Sequence, residues 1–341
     1  MRKSLKLLNY LLMIFITFQV HASVIQNSDA PKVVVSIKPL YALTYELMRG
    51  VGEPVLLLQG AADPHHFSLT PSHVKLIKES DLIVWIGPML EHFMVKTIAS
   101  KKKRDLSLMS TKGLNLLHRK DSHGCILEKA CVAPNSGKKD DSLLYLKDYT
   151  TIDPHIWLDV HKAILMVQEI GLNLAAIDLK NAKIYRDNTH RLVKKLIAFK
   201  DTLDQKAKSL RHFHFISFHD AYAYLEYNYK LKNSAAETVK GHDKPSLKAY
   251  SKIRDLIRKR DIRCILVDPQ HPSGFEEKLA KEFKMSLYTA DPLGINIQAG
   301  PNHYFILMES LIQTFKKCQY KHKKQSHSPK KHHKTNPHRH G

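Results

Sequence analysis

Val33-Val-Val-Ser-Ile37, Leu40 to Met48 at helical spacing, Pro54-Val-Leu-Leu-Leu58, Pro71 to Glu79 at helical spacing, and Leu82-Ile-Val-Trp-Ile86 follow one another in that order. Short runs that are apolar throughout, alternating with amphipathic segments, are the pattern of buried parallel strands joined by crossover helices. Thr70 before Pro71 is an N-cap followed by proline at the first helical position, so the loop from Gly60 to Leu69 is held at a helix start. The C-terminal half repeats the logic. It has strands at Phe213 to Phe218, Cys264 to Val267 and Ser286 to Thr289, and helices at Ala221 to Tyr227, Pro245 to Lys259, Gly274 to Phe283 and His303 to Lys317.

Between the halves, Asp159 to about Leu210 is helical in pattern almost throughout, with a break near Asp178. The second piece, Leu179 to Lys208, is long enough at about 1.5 Å per residue to cross a whole domain. The expected fold is therefore α/β: two βα lobes with mostly parallel sheets, joined by one long linker helix. Ligands in such sheets sit at the carboxyl ends of the strands, which places the site in the interlobe cleft. The expected layout is a signal peptide at 1–22, an N-terminal lobe at 23–178, the linker helix at 179–210, a C-terminal lobe at 211–318 and a disordered tail at 319–341.

The signal peptide is read from Arg2, Lys3 and Lys6, the uncharged run from Leu7 to Val20, and small residues suited to cleavage after Ala22. That run is shorter than the ~20 residues a membrane helix needs. No cysteine stands near the cleavage point to carry a lipid, so the expectation is a soluble, exported protein, periplasmic in a diderm cell. The formal charge of +22 falls to about +12 once signal and tail are set aside. Export, and the lack of a basic stripe interleaved with aromatics, argue against nucleic acid as partner. After Cys318 the chain turns to Lys, His, Ser, Pro and Asn, with six histidines from His322 to His340 and no acidic or aliphatic residue. Such a segment cannot bury a core. It reads either as a weak metal-ion collector through its imidazoles or as a basic tail touching anionic membrane surface.

Four cysteines in an oxidising compartment suggest two disulfides. We pair Cys125 with Cys131, stapling a Gly- and Pro-containing surface excursion, and Cys264 with Cys318, tying a buried strand to the end of the last helix. Spacing alone does not set that connectivity.

Of 22 histidines, three stand on loops or strand ends rather than helix faces. They are His65 in Gly60-Ala-Ala-Asp-Pro-His-His-Phe67, His155 in Asp153-Pro-His-Ile-Trp-Leu158, and His219 in Ile216-Ser-Phe-His-Asp-Ala-Tyr222. Taken singly, such a histidine is more often structural. Three meeting in a cleft would supply the imidazole nitrogens that Zn²⁺ favours in a tetrahedral shell.

These motifs, with Asp81-Leu-Ile-Val-Trp-Ile-Gly-Pro88 and Ala290-Asp-Pro-Leu-Gly294, resemble the zinc-specific members of the metal-binding receptor family of ABC importers, the cluster A-I solute-binding proteins. The resemblance spans nearly the whole mature chain. It implies two α/β lobes bridged by a long helix, Zn²⁺ as transported ligand held at His65, His155 and His219, a membrane permease as partner with its ATPase behind it, and a monomer. Manganese and iron receptors resembling the same scaffold tend to carry Glu where His219 stands, and use an Asp matching Asp291; imidazole at 219 favours zinc. Asp291 stands equally as fourth ligand or as a turn residue, and Asp220 and His66 read as outer partners of the ligands. The other readings are a manganese or iron receptor, a zinc enzyme with three histidines and a water but no HExxH motif, and a secreted zinc-sequestering adhesin-like protein.

Overall fold

The computed structural model describes residues 30–100, 104–117, 152–210, 213–234, 246–260 and 262–326. The expected signal segment and the Cys125–Cys131 pair fall outside them.

The first sheet is built from β1 (Val33–Val35), α1 (Lys38–Met48), β2 (Val55–Leu56), α2 (Pro71–Glu79), β3 (Leu82–Trp85), the short α3 (Val95–Ala99) and β4 (Arg104–Ser107). Its strands run parallel in the order β2-β1-β3-β4. The two inner strands are buried at every position, as a strand covered on both faces must be. β4, with Arg104 and Asp105 exposed, has no apolar run; an edge strand can be polar, and the sequence pattern passes over it. Thr70 caps α2 as its sequence predicts. Its hydroxyl accepts the His73 N–H at 3.4 Å while the Thr70 N–H donates to the His73 ring at 3.2 Å.

Two helices follow, α4 (Val160–Ile177) and, after a 3₁₀ turn at Leu179–Asn181, α5 (Ala182–Ala207). The break falls at Asp178, whose carboxylate accepts from the Asn181 side chain at 2.7 Å and the Tyr185 hydroxyl at 3.0 Å. α4 is long and apolar enough to cross a membrane by composition, but most of it is buried inside the protein, as a core helix is. Gly171 lets α4 and α5 close on each other: a Cβ there would lie 2.1 Å from the Thr189 hydroxyl. The 26 residues of α5 span about 39 Å. Asn188 anchors it to the carbonyls of Leu47 and Arg49 at the end of α1, at 2.8 and 2.9 Å. Lys206 pairs with Glu309 of the last helix at 2.7 Å.

The second sheet comprises β5 (His214–Ser217), α6 (Ala223–Tyr229), β6 (Lys232–Asn233), α7 (Leu247–Arg260), β7 (Cys264–Val267), α8 (Phe275–Phe283), β8 (Ser286–Thr289) and α9 (His303–Ser326), with parallel order β6-β5-β7-β8. Ile216, Ile253, Ile257, Ile265 and Leu279 fill the space between strands and helices. The Cys264–Cys318 disulfide forms as expected, with Cα atoms 5.5 Å apart and both residues buried. One expectation is corrected here. The composition change after Cys318 does not end the last helix, which continues to Ser326, because Lys and Gln are good helix formers that need no buried face.

Both sheets reverse strand order between their two central strands, the position where a crevice opens at the carboxyl ends. In the first sheet a buried carboxylate fills it. Glu91 accepts from the Ser36 hydroxyl at 2.6 Å and from the Gly87 and Ile86 N–H groups at 2.9 and 3.2 Å, and burial pushes its pKa up to about 7. In the second sheet the crevice holds the side chains described next.

Candidate metal centre

Each of the three predicted histidines is aimed by a local device. His65 sits on the loop after β2, where Asp63 Oδ1 accepts its backbone N–H at 2.8 Å. His155 leads into the 3₁₀ turn Ile156–Leu158, and Asp153 Oδ1 accepts both its backbone N–H, at 2.8 Å, and its ring Nδ1–H, at 2.7 Å. His219 follows β5, and its Nδ1 donates to Asp268 Oδ2 at the end of the neighbouring β7. That hydrogen bond spans the crevice where the strand order reverses. Asp153 and Asp268 are 0% and 3% exposed, His155 and His219 1% and 4%.

The imidazoles converge. Ring centroids of His65, His155 and His219 lie 5.4, 5.6 and 5.0 Å apart in pairs, and one nitrogen from each falls in a common group spanning no more than 4.8 Å. His65 Nε2 and His155 Nε2 are 3.4 Å apart. A tetrahedral zinc shell with bonds of about 2.05 Å has nitrogen–nitrogen edges of about 3.3 Å, so this pair is already at the spacing the ion would impose. With Nδ1–H donated to a carboxylate, the neutral ring carries its lone pair on Nε2, the tautomer a metal needs.

The cleft walls are stapled across the two sheets. Trp157 Nε1 donates to the Pro292 carbonyl at 2.8 Å, and the Tyr304 hydroxyl donates to the Trp157 carbonyl at 2.9 Å. Tyr224 reaches back to the Asp153 carbonyl at 3.0 Å. Lys38 at the start of α1 donates to the Ile295 carbonyl at 2.6 Å.

Asp291 is placed differently from the other three. Its Oδ1 accepts the Leu293 and Gly294 N–H groups at 2.9 and 2.8 Å and its Oδ2 that of Ile295 at 2.6 Å, and among the described residues it joins none of the three metal-capable groups. It organises a turn in which Gly294 takes φ +66° and a Cβ would strike His303 at 2.9 Å.

The carboxylate beside His219 is Asp268, and a fourth imidazole, His271, lies with it. Both belong to Asp268-Pro-Gln-His271, the loop after β7, which the sequence reading did not single out. The signal was present, since a loop at a strand's carboxyl end is where the search belongs. His271 Nδ1 is 3.2 Å from Asp268 and its Nε2 3.1 Å from Asp63, on the loop of His65. Its ring centroid is 4.3 Å from that of His219. Burial raises the carboxyl pKa of Asp268 and Asp63, but hydrogen bonds from these histidines outweigh it and hold both well below the usual range. Burial likewise lowers His271, and the hydrogen bonds to Asp268 and Asp63 overcome it, taking it up to about 9.

The model of one protein family, described as zinc-uptake complex component A, periplasmic (ZnuA), matches residues 33–318. The chain belongs to the ZnuA family. A high-affinity zinc uptake system protein ZnuA of Brucella abortus (strain 2308) is 31% identical over 310 residues, covering 84% of this chain and 91% of that one. A protein of the same description from Haemophilus ducreyi is 26% identical and covers 86% and 94%. Among solved structures, one described as the crystal structure of ZnuA superposes with a TM-score of 0.69 at 21% identity, covering 85% of this chain and 99% of that one. The periplasmic zinc binding protein TroA of Treponema pallidum gives 0.66 at 17%, covering 85% and 99%. At those identities the superpositions speak to the fold, and they agree with two parallel-sheet lobes and a long helix.

Proposed function

We propose that this chain is the exported receptor of an ABC-type zinc importer, and that it captures Zn²⁺ with His65, His155 and His219. The observation that carries the reading is the pair of Nε2 atoms 3.4 Å apart within a three-imidazole group, two of whose rings are held by the buried carboxylates Asp153 and Asp268. An imidazole at each protein position suits borderline Zn²⁺ over harder Mn²⁺, which prefers oxygen. Water completes the shell, and Asp291 keeps its place in the turn. Two anionic residues behind neutral ligands offset the charge of the cation while leaving the oxygen-poor shell intact. The ZnuA relatives are named for the same cargo.

Release follows from the same geometry. The α5 helix and the cross-sheet staples at Lys38, Trp157 and Tyr304 restrain whole-lobe rotation, so the ion leaves through movement of the loops that carry His65 and His219. Amide exchange should change at those loops on zinc binding and remain as it was in β1, β3, β5 and β7. The permease and its ATPase in the cytoplasmic membrane receive the ion, the receptor works as a monomer, and cleavage near Ala22 frees it to the periplasm. We assign 23–178 and 211–318 as the lobes with 179–210 between them, and give the residues beyond Ser326 a choice of weak zinc collection or contact with anionic lipid. Equal zinc binding with and without residues 327–341 would remove the collector.

The test is competition of Zn²⁺ and Mn²⁺ for the mature protein against a fluorescent chelator. Zinc should win by orders of magnitude. Equal or reversed preference would overturn the zinc assignment and favour the manganese receptor.

A further inference from the structure

A second cluster of ligand-type atoms stands outside the three-histidine site. Asp63, His66 and His271 each offer one atom to a group no more than 4.8 Å across. Asp63 Oδ2 is 2.7 Å from His66 Nδ1 and 3.1 Å from His271 Nε2. Asp63 and His66 come from the loop after β2 and His271 from the loop after β7, so the cluster is assembled from both sheets. Gln270 Nε2 donates to the Ala62 carbonyl at 2.9 Å, fixing the two loops against each other beside it. The His66 side chain is 65% exposed and that of His271 13%, which puts this cluster at the solvent mouth of the cleft whose floor holds His155 and His219. The His271 ring lies 6.5 Å from His66 and 4.3 Å from His219, making it the link between mouth and floor.

We propose that Asp63, His66 and His271 form a second, weaker site for a Zn²⁺-class divalent cation at the mouth of the cleft. Two imidazoles and one carboxylate, with water in the remaining place, are a donor set that zinc accepts. Losing one imidazole for an oxygen and leaving one ligand in solvent make it looser than the floor site. Asp63, Asp153 and Asp268 place three carboxylates around the two positions, which offsets the repulsion between two divalent ions. The arrangement gives an incoming ion a station shared by both lobes before it reaches His65. A latch without metal, in which Asp63 simply pairs with His271, is the competing reading. It makes no use of His66.

The test titrates the metal-free full mature chain calorimetrically with Zn²⁺ through both events, beside His66→Ala, His271→Gln and His155→Ala. The wild type should show a second, weaker event. His66→Ala and His271→Gln should each weaken that event by more than about tenfold, the scale set by losing even an outer partner of a metal ligand. His66→Ala should weaken the second event far more than the first, and its exposed position keeps the fold out of the comparison. A wild type with one event only, or a second event that survives both substitutions, overturns the proposal. His155→Ala separates this from the primary reading: if the first event persists in that variant, the floor site is wrong, whatever happens at the mouth.

Discussion

Replacing Asp153 by Asn exchanges a carboxylate for an amide at a position with no solvent exposure. The Asn carbonyl can still accept both His155 hydrogen bonds that Asp153 Oδ1 takes, at 2.8 and 2.7 Å, so the ring keeps its place and its tautomer. What is lost is the charge behind it. A hydrogen bond to a charged group contributes about 1.5–3 kcal/mol against about 0.5–1.5 for a neutral one, a difference of about 1–1.5 kcal/mol, or about tenfold in zinc affinity. Asp268→Asn acts in the same way through His219 Nδ1. Because the two carboxylates orient different ligands of one ion, the double variant should lose about a hundredfold, within the range seen for partners behind metal ligands. Zinc stoichiometry at the tight site should not change. The assay is chelator competition on the metal-free protein, with thermal unfolding of each variant to confirm folding. Single variants within twofold of wild type would refute the claim that these carboxylates act on the metal through the histidines.

Asp291→Ala should leave zinc affinity within about threefold while lowering the melting temperature, since it strands three backbone N–H groups at a cost of about 1–3 kcal/mol each if buried; a large loss of affinity would restore Asp291 as a ligand. Cys264→Ala with Cys318→Ala opens a loop of sequence separation 54 and should cost about 4 kcal/mol by loop-entropy reasoning, read as a lower denaturant midpoint. In the metal-free protein His271 holds its proton up to about 9 against 6.5 for the ordinary side chain. The folded chain then binds more protons than the unfolded one between those values, so this contribution to stability is present below pH 6.5 and is lost as pH rises through about 9. The melting-temperature advantage of wild type over His271→Gln should shrink across that window; a constant difference contradicts it.

Much of this was legible because it is written in period and position. The apolar runs at Val33–Val35 and Cys264–Val267 became the buried strands, and the long pattern after Asp178 became α5. His65, His155 and His219 stood out because they follow strands or prolines, and the fold brings them together. Asp268 and His271 were marked only by their place after β7, and their pairing with His219 leaves no trace in linear spacing: Asp268 is 49 residues from His219. β4 and β6 escaped for a related reason, being short edge strands with little apolar content. Asp291 illustrates the reverse case, a motif whose position is recognisable while its role depends on where the backbone N–H groups of residues 293–295 point.

Three imidazoles on three loops, His65, His155 and His219, are the proposed hold on the ion. That hold is tested most directly by equilibrium titration of the mature protein and of His65→Ala, His155→Ala and His219→Ala with Zn²⁺ against a chelator of matched affinity. The wild type should bind tightly and each of the three variants should lose that binding; tight binding that survives any one substitution would contradict a three-imidazole site.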